Sequence, residues 1–261
     1  MRYIVSGLLI LLVAGGVVWF STRLSHIGTP PDPNDPRQAG ILTPEVLELD
    51  LKGASENLMD RINRGEQISD ARFHDLMAEA ANSLLNQVDV DSIPPNRAWE
   101  YGEFYITARR WKDAKKALDV AVKVAKDEDR RVNDNLRLAR VLAELGDVHR
   151  AVVTARSTFN VADTGAAPIL PATLLEIVPA GAGKGDDAEL AAMLEDAIAC
   201  ENRTVVDANT VPGRDFLLAR PFHVRNAWTK IVELYTSAGN PAKAKAAVGR
   251  MNAMLKQQTG A

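Results

Sequence analysis

The chain has 261 residues, 46% of them hydrophobic, and its 31 basic residues nearly balance 34 acidic ones for a net charge of −3. Such a balance lacks the basic footprint of a general nucleic-acid binder. One cysteine, Cys200, excludes an intrachain disulfide, so packing must hold the fold together.

Tyr3 to Phe20 reads YIVSGLLILLVAGGVVWF and carries no charge. As a helix this run rises about 27 Å, close to the hydrocarbon thickness of about 30 Å. Tyr3 and Trp19 stand at opposite ends, where amphipathic rings favour the interface, and Arg2 and Arg23 bracket the run. Residues 1–23 are therefore expected to form a transmembrane signal anchor. A cleaved signal peptide is the rival reading, although the run exceeds the usual h-region of about 7–15 residues and no small-x-small site comes after it. No lipobox-type cysteine lies near residue 20, and Gly7, Gly15 and Gly16 do not make a G-x-x-x-G dimerisation face. The positive charge is nearly balanced across the segment, while a two-residue tail is a common signal-anchor layout. The expected place is the inner membrane, with the C-terminal bulk on the periplasmic, extracytoplasmic side.

Residues 24–40 form a linker that includes GTPPDPNDPRQAG, with four prolines. Such a stretch is stiff and extended, about 3.1 Å per residue, and holds the C-terminal domain within a few tens of ångströms of a bilayer. Charge is uneven beyond it. Residues 32–96 hold 5 basic and 13 acidic side chains, residues 97–156 hold 14 and 10, and residues 157–261 hold 10 and 11. The basic middle segment suits an acidic partner or lipid headgroups, or is a solvated helix face.

From residue 41 onward, helical signals succeed one another with no strand pattern between them. Thr43-Pro44-Glu45 supplies an N-cap, a proline at the first helical position and a first-turn acid. Leu47, Leu51, Ala54, Leu58 and Ile62 then recur at helical spacing. Ser69 caps a second helix whose predicted apolar stripe is Phe73, Leu76, Ala80, Leu84 and Val88, with Ile68 stapled on Phe73. Pro94-Pro95 breaks the chain. Further helices are predicted at about 96–109, 112–126, 132–145, 148–161, 169–178, 187–200, 222–237 and 241–257. Residues 201–220 read as a long loop with one short helix at 215–220. Short links between helices of this length favour antiparallel hairpins.

Three segments share a pattern. Trp99, Gly102 and Tyr105 precede Trp111, Ala114, Leu118 and Ala121. Leu138, Ala139 and Leu142 precede Gly146, Ala151 and Ala155. Trp228, Ile231 and Tyr235 precede Gly239, Ala244 and Val248. In each, a large residue meets a small one across a hairpin, and alanine lets two helix backbones approach closely. Ala114 and Ala151 are 37 residues apart, near the 34-residue period of tetratricopeptide repeats.

The pattern resembles the tetratricopeptide repeat (TPR) family over about 100 residues. WEYGEFYITARRWKDAKKALDVA is a good match, except that Arg109 stands where the family has its turn glycine. LRLARVLAELGDVHRAVVTA keeps Gly146, Ala139 and Ala151 but lacks the aromatics. AWTKIVELYTSAGNPAKAKAAV matches well. The resemblance implies an all-α fold, a TPR-like α-solenoid of antiparallel hairpins over residues 41–261, whose first helices line a concave groove for an extended peptide or a helix. By repeat position Trp99, Glu103 and Ile106 face that groove, with Asn133, Arg137 and Arg140 from the next repeat. Trp99 fits core packing equally well. The family's carboxylate clamp places lysine and asparagine where Trp99 and Glu103 stand, so capture of chaperone tails is not implied. A generic helical bundle is the alternative.

Chemistry is hard to find along the chain. His26, His74, His149 and His223 have no second histidine at metal-ligand spacing, so no metal site is expected. Gly181-Ala-Gly-Lys184-Gly185-Asp186 is spaced like a phosphate loop but lacks its first glycine, its Ser/Thr and a preceding strand. It reads as a turn with Asp186 or Asp187 capping the next helix. Cys200, at the end of AELAAMLEDAIAC, reads as a buried inert thiol. No catalytic residue, cofactor, nucleic acid or small-molecule substrate is expected. The expected function is a membrane-tethered scaffold that binds a partner protein. The alternatives are a subunit of a larger membrane complex, or an envelope hydrolase on an all-helical scaffold.

Overall fold

In the computed structural model, residues 42–161 and 168–259 are described. The expected anchor at 1–23 and the linker at 24–40 lie outside the described residues. Among those described, no helix is long and apolar enough to cross a membrane. The described residues are all helix and turn, with no strand among them.

The first helix, α1 (Pro44–Asn63), begins at Thr43 with proline in its first turn and buries Leu47, Leu51 and Leu58 on one stripe. The Thr43 side chain makes no capping hydrogen bond. α2 (Asp70–Leu85) is capped by Ser69, whose Oγ accepts from the Arg72 N–H at 3.2 Å. Its buried face is Ala78, Ala81 and Leu85. The predicted stripe, Phe73, Leu76, Ala80 and Leu84, is only half-buried, and of that set Val88 alone is fully enclosed. The helix is rotated by about one residue from the expectation, with two alanines, Ala78 and Ala81, taking the contact beside Leu85.

Two single 3-10 turns, Val90–Ser92 and Pro95–Arg97, lead into α3 (Ala98–Thr107), which is followed by α4 (Trp111–Val124). Then come α5 (Glu128–Glu144) and α6 (Val148–Arg156). α5 begins four residues earlier than predicted because Asp127 Oδ1 accepts from the Arg130 N–H at 2.7 Å. α6 ends five residues short of the prediction. Next, α7 (Ile169–Ala172) passes through one π-helical turn (Thr173–Ile177) into α8 (Val178–Gly181). α9 (Asp187–Arg203), α10 (Val211–Ser237) and α11 (Pro241–Thr259) complete the described chain.

Most helices pack on their chain neighbours, α3 on α4, α4 on α5, α5 on α6, α9 on α10 and α10 on α11, while α6 packs on α9. A second set of contacts joins α3 to α1 and α5, and α5 to the π turn and α8. α9 buries residues nearly all round, including Leu190, Met193, Leu194, Ala197 and Ile198, as expected of a helix enclosed on several sides.

Four of the described helix ends close in one way. The N–H of Arg109 donates to Ile106 O and that of Arg110 to Tyr105 O, both at 2.9 Å. The same pair of bonds recurs at Gly65 and Glu66, at Gly146 and Asp147, and at Gly239 and Asn240. This is the Schellman arrangement, which needs a left-handed residue just past the helix. Gly65, Gly146 and Gly239 supply it with φ of 96°, 85° and 66°; the fourth is Arg109, at φ 55°.

The expected loop at 201–220 is shorter than predicted. α10 starts at Val211, where Thr210 Oγ1 accepts from the Gly213 N–H at 3.1 Å with Pro212 in the first turn, and runs 27 residues through Pro221. Proline at 212 is tolerated because first-turn N–H groups have no helical partner. Proline at 221 removes one interior hydrogen bond without ending the helix.

Candidate functional site

The six residues expected to face a groove lie on α3 and α5, within the helices predicted there, but three of them are buried. Asn133, Arg137 and Ile106 are 5%, 8% and 9% exposed. Trp99, Glu103 and Arg140 are half-buried.

Asn133 and Arg137 are enclosed by a cluster of charge. The Arg137 guanidinium pairs with Glu103 of α3 and lies 3.1 Å from Asp134 Oδ1 on its own helix. Arg130 Nε meets Asp134 Oδ2 at 3.0 Å, and the Asp134 side chain has no exposed surface. Both guanidiniums lie over the Trp99 ring, Arg130 at 4.7 Å from its centroid and Arg137 at 5.7 Å. Asn133 Nδ2 donates to Asp129 O at 2.9 Å. Two arginines over one indole are held there by two carboxylates, which offsets the cost of burying charge. Trp99 is thus the floor of an ion-pair cluster, packed beneath two arginines of α5.

The remaining two residues border a cavity. Ile106 and Arg140 line a cavity of about 640 Å³ together with His74 and Met77 of α2, Thr107, Arg109, Trp111 of α4 and Glu144. Sequence reasoning pairs α3 with α5 here but misses the contribution of α2 and of the α3–α4 turn. The left-handed residue demanded at Arg109 was the available signal. Its guanidinium Nη1 lies 2.8 Å from Asp75 Oδ1, with both side chains about half exposed. Arg140 Nη1 lies 3.1 Å from Glu176 Oε2, a residue of the π turn. The cavity lining itself carries two arginines against one carboxylate, Glu144, which faces Lys184 at 3.8 Å.

The other chemistry-bearing residues are structural. Lys184 of the glycine-rich turn donates from Nζ to Ala143 O at 2.8 Å and Glu144 O at 3.1 Å, capping the end of α5. Asp186 occupies the N-cap of α9 without a side-chain bond. Asp187 accepts from the Gly183 N–H at 2.7 Å and from the Ser237 hydroxyl at 2.5 Å, tying α9 to the end of α10. Cys200 is buried with its Sγ 3.3 Å from Val161 O. Among the described residues no group of three His, Cys, Asp or Glu side chains is placed to hold a metal ion. Burial pushes the Tyr101 and Tyr105 hydroxyls up to about 12, so both stay protonated. Tyr101 donates to Leu42 O at 2.7 Å.

No protein-family model matches the chain, and no curated protein matches it. Among solved structures the chain is similar to BtubC (BKLC) from P. vanneervenii, at 14% identity, over 87% of this chain and 94% of that one, with a TM-score of 0.36. A superposition that loose carries neither fold nor function across.

Proposed function

We propose that this chain is a membrane-tethered interaction scaffold, a TPR-like α-solenoid that binds a partner protein along the face shared by α3 and α5. The observation that supports it most is the repetition of one turn geometry at residues 65, 109, 146 and 239, each joining two helices. Hairpins repeated in this way stack by burying alanines, here Ala114, Ala151 and Ala244, and a stack of hairpins presents an extended face for a peptide. The cavity at Ile106 and Arg140 lies on that face. The tether is the apolar run at residues 3–20, and the domain stands on the extracytoplasmic side.

The test is site-specific photo-crosslinking in the native host. A photoreactive residue at Thr107, on the cavity lip, should yield discrete partner adducts in the carbonate-washed membrane fraction. A chain that leaves the membrane on washing rejects the tether, and adducts confined to other faces reject the groove.

A second reading, a permanent subunit of a larger membrane complex, draws on α10. Val211, Leu218 and Phe222 form an exposed stripe, from 56% to 79% accessible, and apolar surface of that kind marks an interface. Adducts from a photoreactive residue at Leu218, with none at Thr107, would favour it.

A further inference from the structure

We infer that the cavity between α2, α3 and α5 is a dual-character peptide subsite, in which Arg109 and Arg140 take a carboxylate of an acidic segment while Met77, Ile106 and Trp111 take a neighbouring bulky apolar side chain. This deepens the scaffold reading and rests on it.

Arg109 is the first observation. It holds a left-handed backbone, φ 55°, at a position where the three equivalent turns use glycine. A left-handed conformation costs a side-chain-bearing residue energy that glycine avoids. Strain of this kind persists where the side chain is needed. The guanidinium lines the cavity, and it pairs with Asp75, which is half exposed to solvent.

Arg140 is the second. It comes from a different helix, lines the same cavity and is held by Glu176. Glu176 sits in the π turn, an insertion in a helix that is frequent at functional sites. Both restraining carboxylates are about 45% exposed. Exposed pairs are worth little, so each arginine can exchange its carboxylate for that of a ligand at small cost. A guanidinium has five donors in a planar fork that matches a carboxylate with two parallel bonds.

The apolar half fixes what kind of anion enters. Met77 and Trp111 are half-buried, so a partner side chain would cover surface of theirs now wet, while Ile106, nearly enclosed, backs the cavity. A bare small anion gains only the charge term there. An acidic peptide with a large aliphatic or aromatic neighbour gains both terms. The cavity volume, about 640 Å³, holds two side chains of that size.

The test is selection from a random twelve-residue peptide display library against the full chain in detergent. The expected winners carry Asp or Glu beside Leu, Ile, Phe or Trp, and weaken as salt rises. Arg109→Gly suits the left-handed turn and removes the whole side chain, guanidinium included; Arg140→Gln removes the charge and keeps most of the side chain. Each should weaken a selected peptide by about tenfold, the worth of one charge-assisted hydrogen bond. Winners without acidic residues, or bound equally by both variants, overturn the subsite. Winners that ignore both variants yet lose binding in Trp99→Ala overturn the subsite while sparing the groove. No enrichment at all overturns the subsite, and photo-crosslinking from Thr107 then decides the scaffold reading separately.

Discussion

Gly102 of α3 and Leu118 of α4 occupy one space: a Cβ on Gly102 would stand 2.8 Å from Leu118 Cδ2 and 2.9 Å from its Cγ. Leu118 has no exposed surface to retreat into. Overpacking at a closed site costs about 1–3 kcal/mol. Gly102→Ala should therefore lose that much stability in urea unfolding, and the double variant Gly102→Ala/Leu118→Ala should recover part of it. An unchanged midpoint for the single variant would mean that the two helices are not in this register.

Arg109→Gly should fold at least as stably as the parent. Removing left-handed strain contributes about 1 kcal/mol, set against the flexibility that glycine adds to the unfolded chain and the loss of the exposed Asp75 pair. The expected change is a gain between zero and about 1 kcal/mol. A loss beyond about 1 kcal/mol would show the Asp75 pair to be stronger than exposed pairs are.

Asp134 anchors two arginines from a side chain with no exposed surface. Asp134→Ala strips both of their shared carboxylate and should cost about 3 kcal/mol, the usual penalty for breaking a buried pair from one side. Added salt should change that deficit little, because the Asp134 carboxylate is closed to counterions. Denaturation at low and high salt measures both; a deficit that vanishes in salt would place the cluster at the surface.

His223 sets a pH dependence. Burial pushes its imidazole below the ordinary value of about 6.5. The unfolded chain therefore takes up the proton first as pH falls. Stability should be complete above about 6.5, decline as pH drops from there through the depressed folded value, and level off below it. His223→Gln should flatten that part of the curve in unfolding experiments run from pH 8 to pH 5. An unaltered slope would assign the dependence to other groups.

Helix content was readable because apolar residues recur at the helical period and because Gly146 and Gly239 punctuate it. Three things were not readable. Burial of Arg137 depends on Glu103, more than thirty residues away, and no local pattern announces such a pair. The continuation of α10 through Pro221 defies the usual reading of proline as a break, since one lost hydrogen bond is outweighed by the packing of Val224, Ala227, Trp228 and Ile231. The rotation of α2 comes from small residues at its contact, and hydrophobic spacing alone weights large residues over small ones. For the candidate cavity, Ile106 and Arg140 were visible from repeat position, whereas Arg109 was noted only as a departure from the family's glycine.

Pro221 divides one helix into two timescales. Beyond it, the buried Val224 to Tyr235 stretch lies against α9 and α11. Before it, Val211, Leu217 and Leu218 face water, and proline leaves the carbonyl of Leu217 without its usual helical donor. Amide hydrogens of the first three turns should exchange with solvent deuterium long before those of the last three, so that the helix frays from one end while the other still reports global unfolding.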